Sequence, residues 1–169
     1  MSQAQQHDQL QFVPGLDIIV SKSALNQSSK SGRKVGILAG AGSGHEPVMH
    51  GFVGPGGLDA SVAGQVFASP STGQVLEGLR LLSKAYQEVL LVVNNYTGDR
   101  LNFGLAAERA KIELGIKCKL FCFGDDVAFD AVRNAKTGRR GLAGGILLNK
   151  CLGESDKRFK PYNVLNLFL

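Results

Sequence analysis

The sequence predicts an α/β protein whose mostly parallel sheet is covered by helices on both faces. Short apolar runs rich in β-branched residues alternate with segments whose apolar residues recur at helical spacing, a pattern typical of parallel sheets and their crossover helices. One of these runs passes directly into a glycine-rich turn, as strands that lead into binding loops often do. With 169 residues, 44% of them hydrophobic and 20% charged, the chain is long enough to bury one core.

The predicted strands are five apolar runs. They cover residues 18–20, 35–39, 62–68, 89–93 and 120–123. A first helix is predicted between the third and fourth of these strands, with Ser69 as its N-cap and Pro70 in its first position. A second helix is predicted over about residues 101–114 and ends at Gly115, a residue type favoured directly after a helix. A third is predicted over residues 142–151, where glycines weaken the helical pattern.

The junction after the second predicted strand is the most informative part of the chain. Residues 40–47 read Gly-Ala-Gly-Ser-Gly-His-Glu-Pro, so backbone N–H groups can approach a ligand without an intervening Cβ atom. The glycine spacing is not that of a dinucleotide-binding loop, and no Lys-Ser or Lys-Thr pair follows as in a P-loop. The junction therefore predicts a site for a small polar molecule, with a purely steric tight turn as the alternative.

Polar groups follow two further predicted strands. Residues 94–100 read Asn-Asn-Tyr-Thr-Gly-Asp-Arg, and residues 124–126 read Gly-Asp-Asp. Because the carboxyl ends of parallel strands meet at one sheet edge, His45 and at least one carboxylate are expected to share a pocket. Each group also has a structural alternative: His45 and Asp99 could cap the segments that follow them, and the Asp-Asp pair could start a turn or helix.

Composition argues against several classes of function. The sequence shows no long apolar span and no basic, apolar leader, so neither membrane insertion nor secretion is expected. The formal net charge of +5 is modest, so no nucleic acid partner is expected. The three cysteines have neither zinc-site nor redox-motif spacing, which fits burial as small apolar residues and a cytoplasmic location.

Five blocks of the sequence follow one another in a recognisable order. They are Gly-Ser-Gly-His-Glu-Pro at 42–47, His-Gly-Phe-Val-Gly at 50–54, Val-Phe-Ala-Ser-Pro-Ser at 66–71, Asn-Tyr-Thr-Gly-Asp-Arg-Leu-Asn-Phe-Gly at 95–104 and Gly-Arg-Arg-Gly-Leu-Ala-Gly at 138–144. Together they resemble the substrate-binding K subunit or domain of the dihydroxyacetone (glycerone) kinase family. The resemblance covers roughly residues 10–150 and implies the fold of the first half of a K domain. It divides the chain into a polar tail (1–10), a partial K domain (11–151) and a divergent C-terminal tail (152–169).

The resemblance implies a role in phosphorylating dihydroxyacetone or a related short ketose, with ATP or a phosphoprotein as the phosphate source. By position, the substrate-binding residues would be Gly42, Ser43, Gly44, His45, Asn94 and Asp99. His45 would orient the triose, and Asp99 would take the proton from the hydroxyl that receives phosphate, as phosphoryl transfer to a positioned alcohol requires. No cofactor and no metal are expected on this chain, because ATP and Mg²⁺ would bind to a separate L domain or subunit.

The sequence departs from the family pattern at important points. Asn94 stands where the family commonly has a lysine, so one donor to the substrate is changed. The family also holds the ketone as a covalent hemiaminal on a histidine in the second half of the K domain. The histidines of this sequence are His7, His45 and His50, and none matches that position.

We therefore expect a dihydroxyacetone-kinase-related, truncated chain with little or no kinase activity alone. An alternative from another class is a non-catalytic ketose-binding or interaction module that pairs with a full-length family member. A third is an independent enzyme that uses His45 and Asp99 for proton transfer in isomerisation or aldol chemistry. Four large apolar residues within 165–169 are expected to promote association into a homo-oligomer, unless they fold back onto the domain.

Overall fold

The computed structural model describes residues 9–26, 35–128 and 137–155 of the chain. Its strands are β1 (Leu10–Val13), β2 (Ile18–Ser21), β3 (Val35–Ser43), β4 (Ala60–Val66), β5 (Glu88–Asn94) and β6 (Lys117–Phe123). They form one six-stranded sheet in the order β1-β2-β4-β3-β5-β6. β3, β4, β5 and β6 run parallel to one another, whereas β1 and β2 pair antiparallel and β2 is antiparallel to β4. The prediction of a mostly parallel sheet is confirmed.

Helices cover both faces of this sheet, as predicted. They are α1 (Lys22–Leu25), α2 (Thr72–Leu82), α3 (Thr97–Glu113) and α4 (Gly144–Ser155), with a short 3₁₀ helix at His50–Phe52. Alternate side chains of β5 divide between the two faces, as the pleat of a strand requires. Val89, Leu91 and Val93 pack with the buried residues of α2 and α3. Leu90 and Val92 pack on the other face with residues that include Leu148 of α4.

The start of α2 differs from the prediction. Ser71, not Ser69, is the N-cap, because its hydroxyl accepts a hydrogen bond from the Gln74 backbone N–H at 3.2 Å. The Gln74 side chain accepts from the Ser71 backbone N–H at 3.0 Å, which completes a capping box. The prediction for Ser69 was wrong because the Ser-x-x-Gln spacing at 71–74 is the stronger start signal, and Ser69 is left available for another contact.

The bounds of α3 and α4 also differ from those predicted. α3 begins at Thr97, about four residues early, so Asp99 lies inside its first turn and does not cap it. Its end is as predicted, with Gly115 at φ +68° directly after the C-cap. α4 begins at Gly144 and runs to Ser155, so it enters the stretch assigned to the C-terminal tail, and Leu152 is fully buried. The domain boundaries themselves remain predictions, and residues 1–8 and 156–169 lie outside the described residues.

The topology opens a crevice at the carboxyl edge of the sheet. The segment after β3 packs on the α4 face, where Met49, Val53 and Leu58 join the core. The helices that follow β4 and β5 pack on the opposite face. Chain segments therefore leave neighbouring strands in opposite directions, and such divergence is where ligands bind in open α/β sheets. Among the described residues, no helix combines the length and apolarity needed to cross a membrane.

Candidate functional site

The glycine-rich turn at the end of β3 is held by its own histidine. Nδ1 of His45 lies 3.1 Å from the Gly42 carbonyl oxygen. Because a carbonyl can only accept, Nδ1 carries the proton in this bond, and Nε2 is the nitrogen left to act on a ligand. The His45 side chain is exposed, and its ring centroid lies 6.3 Å from that of Tyr96. The turn thus presents at the sheet edge an imidazole whose Nδ1 is committed to the turn itself.

Two glycines of the turn are required by their surroundings. A Cβ atom on Gly42 would lie 2.8 Å from the backbone oxygen of Ala68, in the loop after β4. Gly44 has φ +112°, and a Cβ atom there would lie 2.6 Å from the Phe67 ring. The close approach of the β3 and β4 loops therefore depends on residues without side chains.

The other polar groups of the turn are already engaged. The Ser43 hydroxyl donates to the Gly64 carbonyl at 2.7 Å, so this side chain ties β3 to β4. The Gly44 backbone N–H donates to the Glu46 carboxylate at 2.7 Å. That bond lowers the pKa of Glu46. A ligand that uses the Gly44 N–H must replace the Glu46 carboxylate, so Ser43 and Gly44 are less available than the sequence suggested.

Asp99 lies at the same edge and is only 3% exposed. Burial raises the pKa of its carboxyl, while a hydrogen bond with the Ser69 hydroxyl and the nearby charge of His45 act to lower that pKa. Its Oδ1 has no hydrogen-bond partner among the described residues. Buried oxygens are rarely left unpaired, so this atom is a natural acceptor for a ligand hydroxyl.

Asn94 ends β5 a short distance along the chain and resembles Asp99 in its environment. It is 2% exposed, and its Oδ1 also lacks a partner within the described part of the chain. Two buried oxygens without a partner among the described residues, Oδ1 of Asn94 and Oδ1 of Asp99, thus lie at the end of β5 and in the first turn of α3. His45, Asp99 and Asn94 are the predicted site residues whose side chains retain such capacity.

The Asp-Asp pair after β6 takes the structural alternative. The Asp125 carboxylate accepts from the backbone N–H groups of Leu142 and Gly144, at 2.7 and 2.8 Å, and so caps the start of α4. Asp126 forms a 2.6 Å ion pair with Arg140. Both carboxylates fasten the loop before α4 to the sheet edge. Asp99 is thus the predicted site carboxylate that has an oxygen without a partner among the described residues.

Two concave regions lie at this edge, and neither contains both His45 and Asp99 in its lining. The first holds about 190 Å³ of empty space, partly open to solvent, and is lined by Gly42, His45 and His50 among others. His50 is tied to the buried Ser61 hydroxyl at 2.7 Å, and burial lowers its pKa. The second region is a wider depression of about 610 Å³ that includes open solvent. Its lining residues are Asn95, Tyr96, Thr97, Arg100, Thr137, Gly138 and Arg140.

The sequence reasoning did not assign several residues that border the site. Ser69 acts to lower the pKa of Asp99, Tyr96 neighbours His45, and Arg100 lines the wider depression. All three lie inside the sequence blocks quoted above, and that was the available signal for them. No group of three or more His, Cys, Asp or Glu residues in the described ranges is arranged to hold a metal ion.

Comparisons with known proteins agree on one family. The family model for the Dak1 domain matches residues 2–163. Dihydroxyacetone kinase 1 of Saccharomyces cerevisiae is 45% identical over 140 residues, which are 83% of this chain and 24% of the yeast protein. The chain spans about a quarter of the length of the curated relatives it matches.

Solved structures show the same relationship. The C. freundii dihydroxyacetone kinase in complex with AMP-PNP and Mg²⁺ superposes with a TM-score of 0.75 at 38% identity, over 94% of this chain and 28% of that one. The dihydroxyacetone kinase operon co-activator DhaQ gives a TM-score of 0.80 at 32% identity, over 96% of this chain and 48% of that one. The fold therefore occurs both in a kinase and in a protein named as a co-activator.

Proposed function

The chain belongs to the Dak1 domain family, and on that premise we propose that it forms the triose-binding part of a dihydroxyacetone kinase. The observation that carries the proposal is the buried Asp99 carboxylate. Its Oδ1 has no partner in the described part of the chain, and it lies at the sheet edge where His45 also lies. The ligand would be dihydroxyacetone or a related short ketose. A neutral triose needs hydrogen bonds and no charged clamp, which fits this set of side chains.

Asp99 is proposed as the general base. A carboxylate whose pKa is raised by burial is a stronger base than one in water, and it must lie within hydrogen-bond reach of the proton it removes. The Asp99 Oδ1 would accept the proton of the substrate hydroxyl. The oxygen of that hydroxyl would bond to the γ-phosphorus of ATP while the bond from this phosphorus to ADP breaks and ADP leaves. Asp99 also lies in the first turn of α3, where the helix dipole favours its charged form.

His45 is proposed to orient the triose. With Nδ1 donating to the Gly42 carbonyl, Nε2 is the ring nitrogen left to hydrogen-bond a second hydroxyl of the ligand. Asn94 would contribute an amide where the family commonly has a lysine, so its contact with the triose would carry no positive charge. Gly42, which lines the first concave region, would contact the ligand through its backbone.

The phosphoryl group would come from ATP with Mg²⁺ bound on a separate L domain or subunit. No residue of this chain is assigned to the nucleotide or the metal. A homo-oligomer or a full-length family member remains an additional proposed partner. A cytoplasmic location is part of this proposal and is supported by Cys118, Cys122 and Cys151, all of which are free thiols.

Two assays, the first for binding and the second for catalysis, test the proposal, because a shared fold does not establish catalysis. Calorimetric titration with dihydroxyacetone should detect binding to the chain and lose it in Asp99→Asn and His45→Ala. Glu108→Gln is the matched control, since it removes an exposed carboxylate from the same helix. A coupled kinase assay, with the nucleotide-binding part of a related kinase added, should then show activity that depends on Asp99. Unchanged affinity in both site variants would refute the proposed site, and binding without activity would favour the non-catalytic alternative.

A further inference from the structure

The loop after β4 is tied to α3 by one side chain. Nδ2 of Asn102 donates to the Pro70 carbonyl at 2.8 Å, and its Oδ1 accepts from the Thr72 hydroxyl at 3.4 Å. Asn102 lies three residues after Asp99, and residues at this spacing are neighbours on a helix surface. The same asparagine therefore lies near the Asp99 carboxylate and hydrogen-bonds Pro70 and Thr72, which follow Ser69 in the segment of residues 69–72.

Ser69 is brought unusually close to the first turn of α3. A Cβ atom at Gly98 would lie 2.6 Å from the Ser69 hydroxyl oxygen, so the glycine leaves the space that this hydroxyl occupies. From that position, next to the residue before Asp99, the Ser69 hydroxyl acts to lower the pKa of the Asp99 carboxyl. Ser71 caps α2 and is not available for this role, so the influence of Ser69 on Asp99 depends on where the segment of residues 69–72 is held.

We propose that Asn102 is a positioning residue that holds the segment of residues 69–72 against α3 and thereby keeps the Ser69 hydroxyl on the Asp99 carboxylate. The inference rests on the proposed function, in which Asp99 is the base. Asn102 acts through Ser69 and touches neither the ligand nor the reacting atoms. Of its two bonds, the one to Pro70 is short and lies next to Ser69, whereas the one to Thr72 is longer and lies at the start of α2.

A definite change in the titration of Asp99 follows. The Ser69 hydroxyl donates to the carboxylate and stabilises its charged form, so loss of this bond raises the pKa of Asp99 further. The other influences on Asp99 are burial, which raises its pKa, and His45, which lowers it, and Asn102 is not itself among the groups that shift this pKa. A purely structural asparagine would leave the titration unchanged.

The experiment is a pH titration of the Asp99 side-chain carbon by ¹³C NMR on the full chain, with the signal assigned through Asp99→Asn. Asn102→Ala and Ser69→Ala should each move the titration to higher pH. The double variant should move it no further than Ser69→Ala does, because both changes remove one contact. Thr72→Val is the matched control. It removes only the 3.4 Å hydrogen bond from Thr72 to Asn102 and should leave the titration midpoint of Asp99 unchanged.

The outcomes separate this inference from the proposed function, because the titration needs no ligand. Asn102 is a half-buried helix residue, and alanine suits a helix, so Asn102→Ala should fold. If Asn102→Ala does not fold, Asn102→Ser repeats the test, because a serine side chain is too short to reach the Pro70 carbonyl. An unmoved titration in the Asn102 variants beside a moved one in Ser69→Ala overturns the inference. So does a shift in the double variant equal to the sum of the two single shifts.

Discussion

Replacement of Asp99 by asparagine should stabilise the fold while it removes ligand binding. The substitution keeps the shape of the side chain and removes a charge that is 3% exposed and has an unpaired oxygen. A neutral amide keeps a buried oxygen but not the charge, and burial of a charge costs more than burial of an amide. The Ser69 hydroxyl and the His45 charge offset only part of that extra cost. Asp99→Asn should therefore raise the free energy of unfolding by about 1 kcal/mol near neutral pH, or roughly 2–4 °C in melting temperature.

The pH dependence of this gain has a definite sign. In the unfolded chain Asp99 loses its proton near the ordinary value of 3.8, whereas burial raises the pKa in the folded chain. As pH rises through that interval, the unfolded state releases its proton first, and the wild-type chain loses stability that the variant keeps. Urea unfolding should show no difference between the two chains below the lower pKa and a growing difference above it.

The control for this experiment is Glu108→Gln on the same helix. Glu108 is exposed, so its replacement should change the free energy of unfolding by less than about 0.5 kcal/mol at any pH. A less stable Asp99→Asn variant at neutral pH, or a difference that does not vary with pH, would refute the assignment of Asp99 as a buried base that is costly to the fold.

Three further predictions concern the turn, the ligand and the C-terminus. Gly42→Ala should lower the free energy of unfolding by about 1–3 kcal/mol, because its Cβ would press on the Ala68 backbone, while Gly104→Ala, which meets nothing within 4 Å, should not destabilise the chain. Intact-mass measurement after incubation with dihydroxyacetone and borohydride should find no histidine-linked adduct, since this sequence lacks a histidine at the family's anchoring position. Deletion of residues 164–169 should reduce self-association measured by light scattering, and identical association of both chains would contradict a role for this apolar end.

The strands show how far local sequence patterns reach. The apolar cores of β3, β5 and β6 were predictable, but β3 continues through Gly40, Ala41 and Gly42 as a buried strand. Small residues are weak strand formers in isolation, and here they fit because β4 and Phe103 pack close to them. β1 was not predicted, since its half-exposed residues become a strand by pairing with β2. The end of β3 and the presence of β1 are therefore decided by contacts between residues that lie far apart in the sequence.

The site shows the same limit. The approach of His45 and Asp99 to one sheet edge was predictable, because both follow parallel strands. The commitment of Ser43 to Gly64 was not, because that bond joins residues 21 positions apart. Asp125 and Asp126 could be read as ligands or as structural groups until the start of α4 was located beside them. Residue types fixed the candidates, and tertiary contacts decided which of them remain available.

The most direct test of the triose site is a two-dimensional ¹H–¹⁵N NMR titration of the full chain with dihydroxyacetone. We expect saturable, reversible shifts that are largest for backbone amides of residues 42–46 and 95–100, and that disappear in Asp99→Asn. Shifts confined to other parts of the sheet, or the same shifts in Asp99→Asn as in the unaltered chain, would contradict this expectation.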